Sequence, residues 1–221
     1  PLALVLADKG YKVSGIDVDP FRVALIEKKT MPFIEEGAQE LLNRYGGNRF
    51  RIFSEDHTIR VVSESKYIIF TLGTPIDETY SPDHKQIEDL FFKLYPYFKK
   101  GHVIILRSTI SPGTTERLAR QIEENTKLKV GTDIFLAYCP ERIAEGKSVE
   151  ELYQIPQIVG SIDQRSGQEA GKVFSKIAPE ILYSTSRSAE LSKLYCNMYR
   201  YIDFAIGNEF MMIAENYGTD I

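Results

Sequence analysis

Cysteine is scarce in this chain, which carries only Cys139 and Cys196. Two cysteines so far apart make neither a metal-ligand set nor a disulfide framework, so no metal is expected and a reducing, cytoplasmic location is. An excess of charge of either sign is missing too. With 27 Lys and Arg against 31 Asp and Glu, the formal net charge is -4, and no basic tract offsets it. That leaves nothing to attract a polyanion, and no nucleic-acid partner is expected. Long apolar runs are also lacking. The opening "PLALVLA" has no basic segment before it and gives way at once to "DKG", so it does not read as a signal sequence. No stretch approaches a membrane span. Repeats and low-complexity linkers are absent.

What is present is an ordinary globular composition: 221 residues, 43% hydrophobic and 26% charged, enough for one full core plus a further fragment. Short runs rich in Val, Ile, Phe and Tyr ("KVSGID", "RFRIF", "YIIFTLG", "HVIILRST", "DIFLAYC", "QIVGS", "EILYS") alternate with stretches of helical period at Pro20 to Lys28, Glu35 to Tyr45, Lys85 to Phe98, Thr114 to Asn125 and Arg165 to Ile177. Strands apolar on both faces and separated by helices specify an α/β fold, a Rossmann-like doubly wound parallel sheet. Leu2 to Lys9, stopped by Gly10, reads as a helix feeding the strand "YKVSGIDVD". That is the second half of a βαβ unit, so a first strand and a glycine-rich turn are expected before Pro1. Arg187 to Tyr217 reads as one long helix with no cap before the chain ends. Truncation at both ends is the expectation.

Chemistry is sought at the carboxyl ends of the strands, where open α/β sheets bind ligands. Asp17, closing "SGID", is placed to accept hydrogen bonds from a ribose, which favours NAD over its 2'-phosphorylated relative. The same "DVDP" also suits the start of a helix, with Asp19 as cap and Pro20 in the first turn. Arg22 either flanks an adenosine or is a solvated helix residue. "FTLGTP" and "LRSTISPGTT" leave two strands through small residues and a proline, and read either as cofactor loops or as turns in which Thr114 or Thr115 caps the next helix. "CPERIAEGK" leaves a third. A carboxylate there, near a hydroxyl such as Thr109, would orient a water molecule and take its proton if burial raised its pKa; the alternative is a loop with favourable acid placement. On the last helix, Glu190, Lys193, Asn197 and Arg200 fall in one arc opposite Leu191, Tyr195, Met198, Ile202 and Ile206, the pattern of a solvated face. Phe204, Gly207 and Met211 continue that polar arc, however, which suggests that something covers it.

In this order and spacing, "GIDVDPFR", "FTLGTP", "RSTISPGTT", "CPERIAEGK" and "ELSKLYCNMYR" resemble the NAD-dependent UDP-sugar 6-dehydrogenases over essentially the whole chain. "PERIAEGK" and the Asn197 to Arg200 spacing are more similar to the UDP-N-acetyl-D-mannosamine branch than to the UDP-glucose branch. The resemblance implies four-electron oxidation of a sugar C6 alcohol to a carboxylate with two NAD and no metal, through a cysteine thioester, for polysaccharide biosynthesis. It places Asp17 and Arg22 at the adenosine ribose. Leu72, Gly73, Thr74, Pro75, Ser108, Thr109 and Ile110 follow along the cofactor, and Glu145 lies near the nicotinamide and ribose. Glu141 matches the base for thioester hydrolysis, with Thr109 beside it, and Lys193 and Asn197 match groups at the reacting carbon. Arg142, Ile143, Ala144 and Arg200 join Glu141, Glu145, Lys193 and Asn197 around the sugar nucleotide. An NAD-binding domain over 1–185 would be followed at 186–221 by the start of a central helix that pairs a homodimer. The nucleophilic cysteine and the sugar-binding half are expected beyond Ile221, because neither Cys139 nor Cys196 fits that position, and the 221 residues alone are expected to be inactive. Cys139 is read as a small strand-end residue and Cys196 as helix packing. Relatives acting on UDP-glucose, UDP-N-acetylglucosamine or GDP-mannose share this half, and a non-catalytic nucleotide-binding module is the alternative from another class.

Overall fold

The computed structural model describes residues 1–73, 85–143 and 146–220. The chain opens with α1 (Leu2–Asp8), β1 (Val13–Asp17), α2 (Pro20–Glu27), α3 (Ala38–Tyr45), β2 (Phe50–Ser54) and α4 (Thr58–Glu64). It continues through β3 (Tyr67–Phe70), α5 (Lys85–Leu94), β4 (Val103–Leu106), α6 (Thr114–Asn125) and β5 (Phe135–Tyr138). Then follow α7 (Ser148–Gln154), β6 (Gln157–Ser161), α8 (Gln164–Phe174), β7 (Ile181–Thr185) and the long α9 (Ser186–Asn216). Each of the seven apolar runs is a strand.

The apolar alternation fixes two faces. Along β4, Ile104 and Leu106 pack with Phe91, Leu94, Leu118 and Ile122 from α5 and α6, whereas Val103 and Ile105 pack with Val5, Ala170, Val173 and Phe174 from α1 and α8. A strand with period-2 side chains and a helix layer on each face must be apolar at every position, as "VIIL" is.

The strands form a parallel pair, β1-β2, and a five-stranded sheet ordered β3-β4-β5-β6-β7. Helix α1 packs across both: Leu4 and Ala7 lie against Ala38, Leu42 and Phe50, and Val5 and Leu6 lie against β4 and β5. Being covered all round explains why "LALVLA" has no polar face. One pair departs from the expected parallel order. Strand β6 runs antiparallel to β5, with Ala137 opposite Ser161 and Tyr138 opposite Gly160. Its first residue, Gln157, therefore lies beside the carboxyl end of β5.

Several boundaries differ from the sequence pattern for local reasons. Helix α3 begins at Ala38 rather than Glu35, because Gly37 takes a left-handed turn at φ 73 and releases Glu35 for another task. The helical period up to Phe98 breaks after Leu94 into a 3-10 turn, Tyr95–Tyr97, where Pro96 has no N–H to donate. Helices α4 and α7 were not expected, since their seven residues hold too few turns to show a period and neither has a glycine stop like the Gly10 that marks α1. Helix α9 is capped after all. Gly218, at φ 67, gives its N–H to Glu215 and Thr219 gives its own to Ala214, the paired bonds of a glycine stop.

His102, at the start of β4, is only 1% exposed, and its Nε2 has no partner among the described residues. Burial, helped by Lys99, pushes the imidazole pKa down from 6.5 to about 4. The folded state thus keeps His102 neutral where the unfolded chain takes up a proton. Stability is full above pH 6.5 and falls as pH drops toward 4. Urea unfolding should give about 2 kcal/mol less stability at pH 5 than at pH 7.5, with most of that dependence absent in His102→Phe. An equal pH dependence in wild type and variant would contradict a neutral buried imidazole.

Candidate active site

The ends of β3, β4 and β5 stay zipped together beyond the strands. Arg107 donates its N–H to the Phe70 carbonyl at 3.0 Å, Cys139 to Leu106 at 2.8 Å and Glu141 to Arg107 at 3.2 Å. This continuation lifts Ser108, Thr109 and Glu141 onto one edge. Ser108 and Thr109 are half-buried there, whereas the Ile110 side chain belongs to the core, so only its backbone is available to a ligand.

Glu141 is only partly buried, short of the burial that the reading of its loop as a proton acceptor asked for. Its side chain is 32% exposed and ion-paired to Arg107, whose Nη2 lies 2.5 Å from Oε2. Arg107 Nε donates to the same oxygen at 2.8 Å, and Oε1 accepts the N–H groups of Arg142 at 2.9 Å and Ile143 at 3.3 Å. Three hydrogen bonds and this ion-pair contact fix the carboxylate in position. Arg107 itself is 2% exposed. Its Nη1 reaches the Cys139 carbonyl at 3.2 Å and Gln157 Oε1 at 3.0 Å, and the guanidinium lies over the Phe174 ring. The sequence reading missed Arg107; the signal available was a lone cation directly after "VIIL". Arg142 turns its guanidinium to the Pro156 carbonyl, and Ile143 packs on the core. Ala144 and Glu145 lie outside the described residues.

The polar arc of α9 is not uniformly solvated. Glu190 is 0% exposed. It accepts the Gly113 N–H at 2.6 Å, the Thr115 N–H at 2.9 Å and the Thr115 hydroxyl at 2.6 Å. Neither Thr114 nor Thr115 caps α6; the carboxylate from α9 does, where the helix dipole favours an anion. A Cβ on Gly160 would collide with Ala189, so the glycine lets α9 lie directly on β6. One turn on, Lys193 and Asn197 are half-buried, and Arg200 is exposed. Burial pushes the Lys193 ammonium pKa down, and the Glu141 carboxylate partly offsets this. Lys193 and Glu141 therefore share one electrostatic environment although they are 52 positions apart in sequence. Farther along, Phe204, Phe210 and Met211 are exposed, and no described residue covers them.

Asp17, at the tip of β1, is partly buried and accepts the Asp19 N–H at 2.9 Å. Asp19 in turn caps α2 through the Phe21 N–H, so both acids of "DVDP" take part in the turn that starts the helix. Arg22 pairs with Asp19 at 3.5 Å on the surface. Val18 and Phe21, 71% and 70% exposed, stand beside Asp17. A carboxylate flanked by exposed apolar side chains suits an adenosine, whose ribose needs acceptors and whose base needs an apolar rest. The residues fit the cofactor. Leu72 packs on the core and Gly73 is exposed past β3, while Thr74 and Pro75 lie outside the described residues.

Neither cysteine offers a nucleophile at this edge. Cys139 is wholly buried beneath it, and burial pushes its thiol up to about 12. Cys196 is exposed on α9 rather than packed. Among the described residues no cluster of His, Cys, Asp and Glu forms a metal site, and no helix is long and apolar enough to cross a membrane.

Comparison with known proteins places this geometry. The model of the UDP-glucose/GDP-mannose dehydrogenase family, NAD binding domain, matches residues 1–178. A curated UDP-N-acetyl-D-mannosamine dehydrogenase from Methanococcus aeolicus is 32% identical over 227 residues, covering 100% of this chain and 49% of that relative. The solved UDP-D-ManNAc dehydrogenase from Pyrococcus horikoshii superposes with a TM-score of 0.88 at 27% identity, over 98% of this chain and 51% of that one. A GDP-mannose dehydrogenase from Pseudomonas aeruginosa, solved as a ternary complex, gives a TM-score of 0.88 at 24% identity, over 99% and 51%, a likeness of fold. The chain spans about half the length of the curated relatives it matches.

Proposed function

Because the chain belongs to the UDP-glucose/GDP-mannose dehydrogenase family and carries its NAD-binding domain, we propose that the complete protein oxidises the C6 alcohol of UDP-N-acetyl-D-mannosamine to the carboxylate, giving UDP-N-acetyl-D-mannosaminuronate. The observation that carries this reading is that Lys193, half-buried on α9, lies within electrostatic reach of the Glu141 carboxylate beyond the end of β5. NAD, when bound, supplies the hydride acceptor. Asp17 holds its adenosine ribose, and Gly73, Ser108 and Thr109 lie along its path, with Thr74, Pro75 and Glu145 completing the set.

The chain's own groups divide the remaining work. The Lys193 ammonium and the Asn197 amide donate to the oxygen on the reacting carbon, where negative charge gathers as the carbon becomes tetrahedral. Glu141 takes a proton from the water that attacks the acyl carbon; the C–S bond to a cysteine outside the described residues then breaks, and the thiolate leaves. Arg142, Ile143, Ala144 and Arg200 border the sugar nucleotide. The complete protein pairs with a second copy through α9, whose exposed Tyr199, Phe204, Phe210 and Met211 make it an apolar surface to be covered. It works in the cytoplasm.

The test is NADH formation by the complete protein with UDP-N-acetyl-D-mannosamine, UDP-glucose, UDP-N-acetylglucosamine and GDP-mannose in parallel. The first should have the highest kcat/KM and yield two NADH per sugar. A different preferred sugar would reassign the substrate, and silence with all four would leave a nucleotide-binding module. In the same assay, Asp17→Ala should raise KM for NAD by roughly fivefold to a hundredfold, the loss of about 1 to 3 kcal/mol of hydrogen bonding, with little change in KM for the sugar. An unchanged NAD constant would remove Asp17 from the cofactor site.

A further inference from the structure

We infer that Arg107, held by Gln157, is a positioning residue that fixes the Glu141 carboxylate in the orientation the reaction requires. The inference rests on the reading of Glu141 as the hydrolytic base. Arg107 is buried among apolar neighbours, an unfavourable place for a guanidinium unless its donors are met with good geometry. Two of its nitrogens are met by hydrogen bonds. Nε donates to Oε2 of Glu141 and Nη1 is shared between the Cys139 carbonyl and Gln157, while Nη2 lies at ion-pair distance from the same Oε2 without a hydrogen bond. The planar fork rests on Phe174, which restricts its rotation.

Gln157 completes the device. Its Nε2 donates to the Pro140 carbonyl at 3.2 Å and to the Ile158 carbonyl at 2.8 Å, while its Oε1 receives Arg107. One side chain thus secures both the guanidinium and the backbone immediately before Glu141. Gln157 reaches this edge because β6 runs antiparallel to β5; in a parallel strand the first residue would lie at the opposite end of the sheet. The departure from parallel order brings a second layer of support under the catalytic loop. With Oε2 committed to Arg107 and Oε1 to two backbone N–H groups, the carboxylate has one rotamer and one outward direction, which is what a base must have to meet a water molecule.

The test is a kinetic double-mutant cycle in the complete protein between Arg107→Lys, which keeps the charge but loses the fork, and Glu141→Gln. Gln157→Leu, which leaves the ion pair in place, serves as a second probe. Arg107→Lys should lower kcat by about tenfold to a hundredfold with KM for NAD and sugar within about threefold, and Gln157→Leu should act in the same direction more weakly. In the Glu141→Gln background, Arg107→Lys should add less than about threefold, because the group it positions is gone. Fully multiplicative effects, or a raised KM with unchanged kcat, would overturn the inference and leave Arg107 as packing. Normal turnover by Glu141→Gln itself would instead sink the reading of Glu141. If Arg107→Lys does not fold, as judged by thermal melting and NAD binding, the cycle with Gln157→Leu decides by the same criterion.

Discussion

Lys193→Ala should lower kcat of the complete protein by about tenfold to a thousandfold while KM for NAD changes little. The expectation follows from where α9 puts the ammonium. Glu190, three residues earlier, is locked to Gly113 and Thr115, which fixes the rotation of the helix about its axis. Helical spacing then puts Lys193 on the same face one turn on, half-buried. Burial pushes its pKa down, so the site has partly stripped the ammonium of water, and Glu141 is the anion that holds its charge. A desolvated cation interacts more strongly with a developing oxyanion than a hydrated one does, and it does so before the reaction starts. Asp17 and the strand-end loops, the proposed contacts of NAD, are on other elements, which is why the effect should fall on kcat. Lys193→Arg should recover little, because a planar fork does not occupy the position of a compact ammonium. Steady-state kinetics with both substrates saturating decides the matter. Wild-type turnover by the alanine variant would mean that the helix face is only solvated.

Glu141→Gln should slow turnover by about a hundredfold to ten-thousandfold, the range for loss of a general base, and should trap a covalent acyl-enzyme visible by intact-mass spectrometry. The amide keeps the shape of the side chain, but its single oxygen can accept from Arg107 or from the two backbone N–H groups and not from both. What it loses is the ability to take a proton. Steps before hydrolysis continue, and product release stops for want of activated water. Accumulation should be greatest with the preferred sugar. An uncharged oxygen beside the buried Arg107 also leaves the guanidinium poorly compensated, so a lower melting temperature is expected together with the kinetic effect. A variant that turned over normally, with no adduct, would reduce Glu141 to a structural partner of Arg107.

The sequence determined the strands and their two-sided burial, because period and composition are local properties. "VIIL" and "FLAY" need helices on both faces whatever their neighbours are. It also marked the strand ends that carry Asp17 and Glu141 and the helix arc that carries Lys193, since these can be located from short windows, while their roles rested on the resemblance. What it could not give was pairing across distance. The polar arc of α9 looked uniform, yet packing on β6 through Gly160 and Ala189 buries Glu190 completely and leaves Arg200 in water. No helical wheel separates a buried carboxylate that caps another helix from an exposed one, because the distinction lies in the other helix.

Glu35 shows the same limit. It read as the first residue of a helix, but its carboxylate accepts from Ser148 N at 2.6 Å and Ser148 Oγ at 2.8 Å, holding the start of α7 across 113 positions of sequence. Only the tertiary structure decided that β6 turns antiparallel, bringing Gln157 to the edge where Arg107 and Glu141 meet. Strand direction depends on how the chain returns to the sheet, and the five residues "QIVGS" satisfy either direction equally well on their own. The buried cation followed from that choice. Arg107 can remain charged beneath the site because two segments remote from it in sequence, one carrying Cys139 and Glu141 and the other Gln157, bring it three oxygens.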